Sequence, residues 1–247
     1  MINNQFSYKD YKKILHKYKD KFCDFANIED MKSYVLLRHD VEFSPKRALE
    51  IARIENSENI SSSFLFQVRS NAYNVLSTIN RKIISEILYL GHKVGLHFYV
   101  TDLEENNWNL LEKELIKQAE ILNFAINKNI DRFSYHRPPR WVLENREDHI
   151  NKLINMYGKS FFELSDSPKN IKYLADSKHC FPYGNPIANY DYEKIQILLH
   201  PDEWSFNGVA AKENFNLLAE EHLDQLKLTF KTETKIYNKL FCDLNPS

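Results

Sequence analysis

The chain has 247 residues, 43% hydrophobic and 27% charged, with 33 basic against 34 acidic side chains and a net charge of -1. That is ordinary globular composition, long enough to bury one full core. A balanced charge argues against nucleic acid as a partner, and no apolar run reaches the roughly 20 residues of a spanning helix. The polar start, Met1 to Phe6, lacks the basic-then-apolar layout of a signal peptide, and Cys23, Cys180 and Cys242 are isolated and odd in number. The expectation is a cytoplasmic protein with free thiols.

From the N-terminus, Tyr8 to Phe22 carries apolar residues at helical spacing. Tyr34 to Leu37 reads as a buried strand, and Ser44-Pro45 opens a helix to about Asn59. Ser63 to Gln67 reads as a strand, and Ile79 to Leu90 as a helix stopped by Gly91. Lys93 to Phe98 is the next strand, followed by a long amphipathic helix from Leu103 to Phe124. Arg132 to Tyr135 reads as a strand, His149 to Tyr157 as a helix stopped by Gly158, and Phe161 to Leu164 as a strand. Pro168 to Tyr192 is irregular; Ile195 to Leu199 is a strongly apolar strand, and a last helix covers about Lys212 to Tyr237. Alternating strands and helices predict an α/β fold with a parallel sheet, open or closed into a barrel. The domain is single, residues 1–247, with an N-terminal helix within 1–30 and a C-terminal helix within 205–247 packing on it.

Polar residues collect at the C-terminal ends of these strands: Asp40 and Glu42, His97, His136-Arg137, Asp166 and His200. In a parallel sheet those ends share one face, where active sites form. His and carboxylate together suit a zinc-like divalent ion with an open position for water. Such an ion activates water and polarises a carbonyl, while side chains move the protons. Neither a nucleotide-binding glycine loop nor a GxSxG elbow is present.

Leu37-Arg38-His39-Asp40-Val41-Glu42, Gly91-His92-Lys93-Val94-Gly95-Leu96-His97, His136-Arg137-Pro138-Pro139 and Leu198-Leu199-His200-Pro201 resemble, in order, the motifs of the polysaccharide-deacetylase (NodB-like) superfamily. The resemblance covers Tyr34 to Trp204 and is nearest to a divergent branch found in bacterial surface-glycan gene clusters. It implies a distorted, incomplete (β/α) barrel of about seven strands. It also implies a divalent metal, most often zinc, and hydrolysis of an acetyl or similar acyl group from an amino sugar or glycan precursor. Two departures stand out: Val41 separates Asp40 from Glu42 where the family has adjacent aspartates, and Thr101 stands where a second His would follow His97.

Asp40 and Glu42 lie two apart and share a face in an extended strand. Asp40 is read as metal ligand and Glu42 as base, with the exchanged assignment left open. His97 is the first imidazole ligand, and His136 the candidate to supply the missing second one. Arg137 is expected to orient the base, Asp166 to hold a catalytic His in its tautomer, and His200 to act as general acid, the last on the resemblance. His92 is read as structural. Trp204, Trp141 and Tyr99 are candidates to line a sugar site. Two other functions compete: a metal-free glycan-binding scaffold on the same fold, and a metal hydrolase of another linear amide.

Overall fold

The structure, a computed structural model, describes residues 6–163 and 170–241. Helix α1 (Tyr8–Tyr18), capped by Ser7, leads through a 3-10 turn to a two-residue strand, β1 (Phe22–Cys23). The repeating unit then begins: β2 (Tyr34–Val41), α2 (Pro45–Ser57), β3 (Ser63–Phe66), α3 (Thr78–Tyr89), β4 (Lys93–Tyr99), α4 (Trp108–Ile126) and β5 (Arg132–His136). A short α5 (Arg140–Glu144), the hairpin β6 (His149–Ile150) and β7 (Leu153–Asn155), β8 (Lys172–Ala175) and β9 (Lys194–Leu199) follow, then α6 (Ala211–Glu233) and α7 (Lys235–Phe241).

The strands form one sheet in the order β6-β7-β5-β4-β3-β2-β9-β8, with β1 against the start of β2. Every pairing is parallel except β6 with β7. The sheet is open and strongly curled, an incomplete barrel as expected. All eight residues of β2 are buried, which explains an apolar run that still carries Arg38, His39 and Asp40. Alternate residues of β2 divide between two cores: Val35, Leu37 and Val41 join the larger one with Phe64, Phe66, Leu96 and Phe98, whereas Tyr34 and Leu36 join Leu65 and Ile154. Arg38, Asp40 and Glu42 share the parity of the second set and continue it to the open end of the sheet.

Gly95 has a packing reason. A Cβ there would lie 2.6 Å from Arg132 Cγ and Leu65 Cδ1. The fully buried Arg132 crosses this gap to Asp24 at 2.8 Å and Ser63 at 2.8 Å.

Four expectations fail here. His149 to Tyr157 is no helix: Asn151 and Lys152 both have positive φ, 47° and 67°, and turn the chain in two residues. Leu153-Ile154-Asn155 gains more as a buried strand beside β5 than as one face of a short helix. Phe161 to Glu163 is not a strand; Leu164 lies outside the described residues. The segment read as irregular contains β8, too short for its alternation to show. The fourth helix starts at Trp108, because Asn107 caps it through Leu110 N–H. At the C-terminus, only Asn214 and Leu218 of α6 are buried, so α6 packs on the body through its first turns alone. Arg47 ties it down, reaching Asn214 Oδ1 at 2.6 Å and Glu221 Oε1 at 2.8 Å.

A candidate metal and acid–base site

The strand ends surround one cavity of about 670 Å³. Asp40, Glu42, His97 and His200 line it, as do Tyr135, Tyr157, Phe162 and Tyr173. Pairing of β4 with β5 puts His97 beside Ser134 and Tyr99 beside His136, so both imidazoles arrive at one edge.

Three groups converge on a point. Glu42 Oε1 lies 2.9 Å from His136 Nδ1 and 3.3 Å from His97 Nε2, and the two ring nitrogens are 3.1 Å apart. With metal–ligand bonds of about 2.0–2.1 Å, adjacent ligand atoms stand about 3.0–3.4 Å apart. The triangle therefore has the dimensions of three ligands on one divalent ion. It uses the expected His97 and His136, but its carboxylate is Glu42, not Asp40.

Asp40 sits behind His97 instead. Ser134 Oγ lies 2.9 Å from Asp40 Oδ1 and 2.8 Å from His97 Nδ1. A hydroxyl has one proton. The carboxylate can only accept, so Ser134 donates to Asp40 and accepts from His97 Nδ1–H. That fixes the tautomer of His97 and leaves the Nε2 lone pair facing Glu42 and His136, the form a metal requires. Asp40 is also 3.5 Å from Arg38 Nη2. Burial would raise its carboxyl pKa, but Arg38, His97, His200 and Ser134 hold it below the usual range. For Glu42, too, burial is outweighed, chiefly by hydrogen bonds to His136 and His97, and its pKa lies well below normal.

Across the cavity, His200 is gripped by Asp176, one residue beyond β8. Asp176 Oδ1 lies 2.7 Å from His200 Nδ1, and its two oxygens accept the His200 backbone N–H at 3.0 and 2.9 Å. Trp204 Nε1 donates to Oδ2 at 2.8 Å. Burial alone would lower the His200 pKa; Asp176, helped by Glu42 and Asp202, reverses this and lifts it to about 10. Asp202, also in the cavity wall, is pushed by burial up to about 7, and its Oδ1 has no hydrogen-bond partner.

The remaining expectations divide. Asp166 lies outside the described residues, and the partner that His200 has among them is Asp176. Arg137 is exposed at the cavity rim with φ 47°, and the guanidinium beside a site carboxylate belongs to Arg38. His92 is structural: its Nδ1 accepts from Ser62 N–H at 3.2 Å and its Nε2 donates to Ala52 O at 2.9 Å. Trp204 is buried behind Asp176, Trp141 packs on Trp108 at 4.9 Å between ring centres, and Tyr99 stacks on His136. The aromatic wall comes from tyrosines and phenylalanines that the sequence did not single out. Ser134 and Asp202 were missed, and so were two more polar residues. Asp176 follows a strand hidden in an irregular stretch, although Tyr173-Leu174-Ala175-Asp176 repeats the apolar-then-polar pattern of the other strands. Gln67, one residue beyond β3, places Nε2 3.1 Å from His136 Nδ1; a search for His and carboxylate alone passes over an amide.

No family model matches the chain, and no curated protein matches it. Solved structures do. A CE4 family pseudoenzyme from Bacillus anthracis shares 15% identity over 78% of this chain and 62% of its own, with a TM-score of 0.49; the chain thus spans less than two thirds of that protein. A family 4 carbohydrate esterase from Streptomyces lividans, solved with acetate, shares 13% over 78% and 91% (TM-score 0.44). A CE4 esterase from Streptococcus mutans shares 12% over 88% and 91% (TM-score 0.47). These structural neighbours are all CE4 proteins. At such identities the likeness concerns chain path alone, and the chemistry must be read from the side chains.

Proposed function

We propose that this chain is a metal-dependent hydrolase that removes an acyl group, acetyl in the first instance, from an amino sugar or glycan precursor. The observation that carries the reading is the triangle of Glu42, His97 and His136, with His97 held by Ser134 in the ligand tautomer. A divalent ion, zinc by the donor set, would polarise the acyl carbonyl and make water a better nucleophile there. The chain's own groups divide the remaining work. Asp40, bordering the cavity and tethered by Ser134 and Arg38, receives the proton of the attacking water. His200, kept protonated by Asp176, gives a proton to the departing amine. Tyr135, Tyr157 and Tyr173 offer aromatic surface to the apolar face of a sugar. This assignment takes the exchanged option for the two carboxylates. Arg137 at the rim contacts substrate on this reading, and Asp166 has no assigned part.

The test joins zinc loading to release of acid from N-acetylated and N-formylated amino sugars. One zinc per chain, and amine formation abolished by a chelator and restored by zinc, support the proposal. A chain that binds no zinc but binds glycan is the degenerate scaffold. Turnover of simple formamides without sugar turnover makes it a hydrolase of another amide.

A further inference from the structure

Helix α6 leaves the body after Leu218 and Glu221, and every residue from Leu223 to Ile236 is exposed. At about 1.5 Å per residue, its last eleven residues project roughly 16 Å from the body, and α7 turns back on their end, with the Tyr237 ring 5.7 Å from that of Phe230. A bare helix of that length is marginal in water, and this one is not polar all round. Leu223, Leu226 and Phe230 are 50%, 49% and 43% exposed. With Ala219 they are spaced four, three and four residues apart, the step of a two-helix seam. Charge is segregated along the seam segment, residues 219–231: Glu220, Glu221 and Asp224 lie before its midpoint and Lys227 and Lys231 after it, with Lys212 and Glu233 of α6 outside it.

That pattern is complementary to itself when reversed. We propose that α6 pairs antiparallel with α6 of a second copy of this chain, forming a two-fold dimer independent of the chemistry proposed above. A two-fold axis beside Asp224 and Gln225 sets Leu223 against the other copy's Leu226, and the small Ala219 against the large Phe230. On one flank, Glu220 and Lys227 each follow a seam residue and meet across the interface. By symmetry every contact forms twice. The acidic half of each seam segment then lies along the basic half of the other copy's, whereas a parallel pairing would set like charges together. No helix among the described residues is long and apolar enough to cross a membrane.

Light scattering and sedimentation velocity on the whole chain, across micromolar concentrations, test this. The expected result is a reversible dimer. Leu226→Glu raises its dissociation constant by roughly thirty-fold or more, the scale of a lost interface anchor, with an unchanged circular dichroism spectrum in the body-dominated near-UV. Glu220→Lys and Lys227→Glu each weaken it, because each sets like charges together twice. The double variant Glu220→Lys/Lys227→Glu restores the dimer, since the pairs re-form with reversed sign. A monomer at all concentrations overturns the proposal, as does a dimer indifferent to Leu226→Glu. Single charge variants that weaken the dimer without rescue in the double variant overturn the antiparallel register.

Discussion

Asp176 holds His200 from two sides at once: its Oδ1 meets the ring Nδ1 at 2.7 Å, and both its oxygens accept the His200 backbone N–H. Because Trp204 also donates to it, this buried carboxylate cannot swing away and the imidazole plane is fixed. Asp202 shares the cavity wall with His200 and has no partner for its Oδ1.

Asp176→Asn preserves size and removes charge. The His200 pKa, held up at about 10, then falls toward its ordinary value near 6.5. The alkaline limb of the pH–rate profile should move down, and turnover at neutral pH should fall by up to about 10²-fold, the low end of acid–base contributions. Bound metal should be unchanged. A slower enzyme with an unmoved alkaline limb would show that Asp176 only supports the fold.

Ser134→Ala breaks the relay that fixes the His97 tautomer. Loss of such an outer partner costs about 10–100-fold in metal affinity. Competition with a chromophoric chelator measures it. Unaltered affinity would mean that Asp40, 3.6 Å from His97 Nδ1, suffices alone.

The two carboxylates separate by metal content. Glu42→Gln should lose the metal with activity, since it removes one corner of the triangle. Asp40→Asn should keep metal and lose about 10²–10⁴-fold in turnover. Metal retained in Glu42→Gln and lost in Asp40→Asn returns the roles to the assignment first drawn from the sequence.

The metal-free protein should be most stable at mildly acidic pH. His200 has a folded pKa of about 10, so its stabilising protonation is complete below its unfolded value of about 6.5 and is lost as pH rises toward 10. Asp202, raised to about 7, adds a decline between about pH 4 and 7. Asp40, Glu42 and Glu55 have lowered pKa values, so their contribution is present above about pH 4 and fades as pH falls. Urea midpoints from pH 3 to 10 should therefore peak near pH 5, and His200→Gln should flatten the alkaline side. A midpoint that climbs from neutral to alkaline pH contradicts the raised pKa of His200.

Lys152→Gly tests the β6–β7 turn. Lys152 holds φ 67°, a left-handed conformation that costs an L-residue roughly 1–2 kcal/mol. Glycine carries no such strain but is freer when unfolded, so the net gain should be about 0.5–1 kcal/mol in denaturant unfolding. A loss of stability would place the residue in some other conformation.

The sequence by itself determined the parallel α/β architecture and most of the polar face that lines the cavity. Buried strands such as Tyr34–Val41 and Lys93–Tyr99 declare themselves by apolar runs, and caps such as Ser44-Pro45 mark the helices. Strand ends of known polarity then place Asp40, Glu42, His97, His136 and His200 on one side. Three things depended on the tertiary structure. The hairpin at Asn151-Lys152 won over a helix because β5 offered a free edge, a neighbour that no local pattern reveals. Asp176 meets His200 because β8 lies beside β9 in the sheet, although 18 residues lie between Ala175 and Lys194. Glu42 displaced Asp40 from the triangle because Ser134, on the strand next to that of His97, reaches across to hold Asp40 behind His97; spacing along one strand fixes a shared face but not the depth to which each side chain reaches.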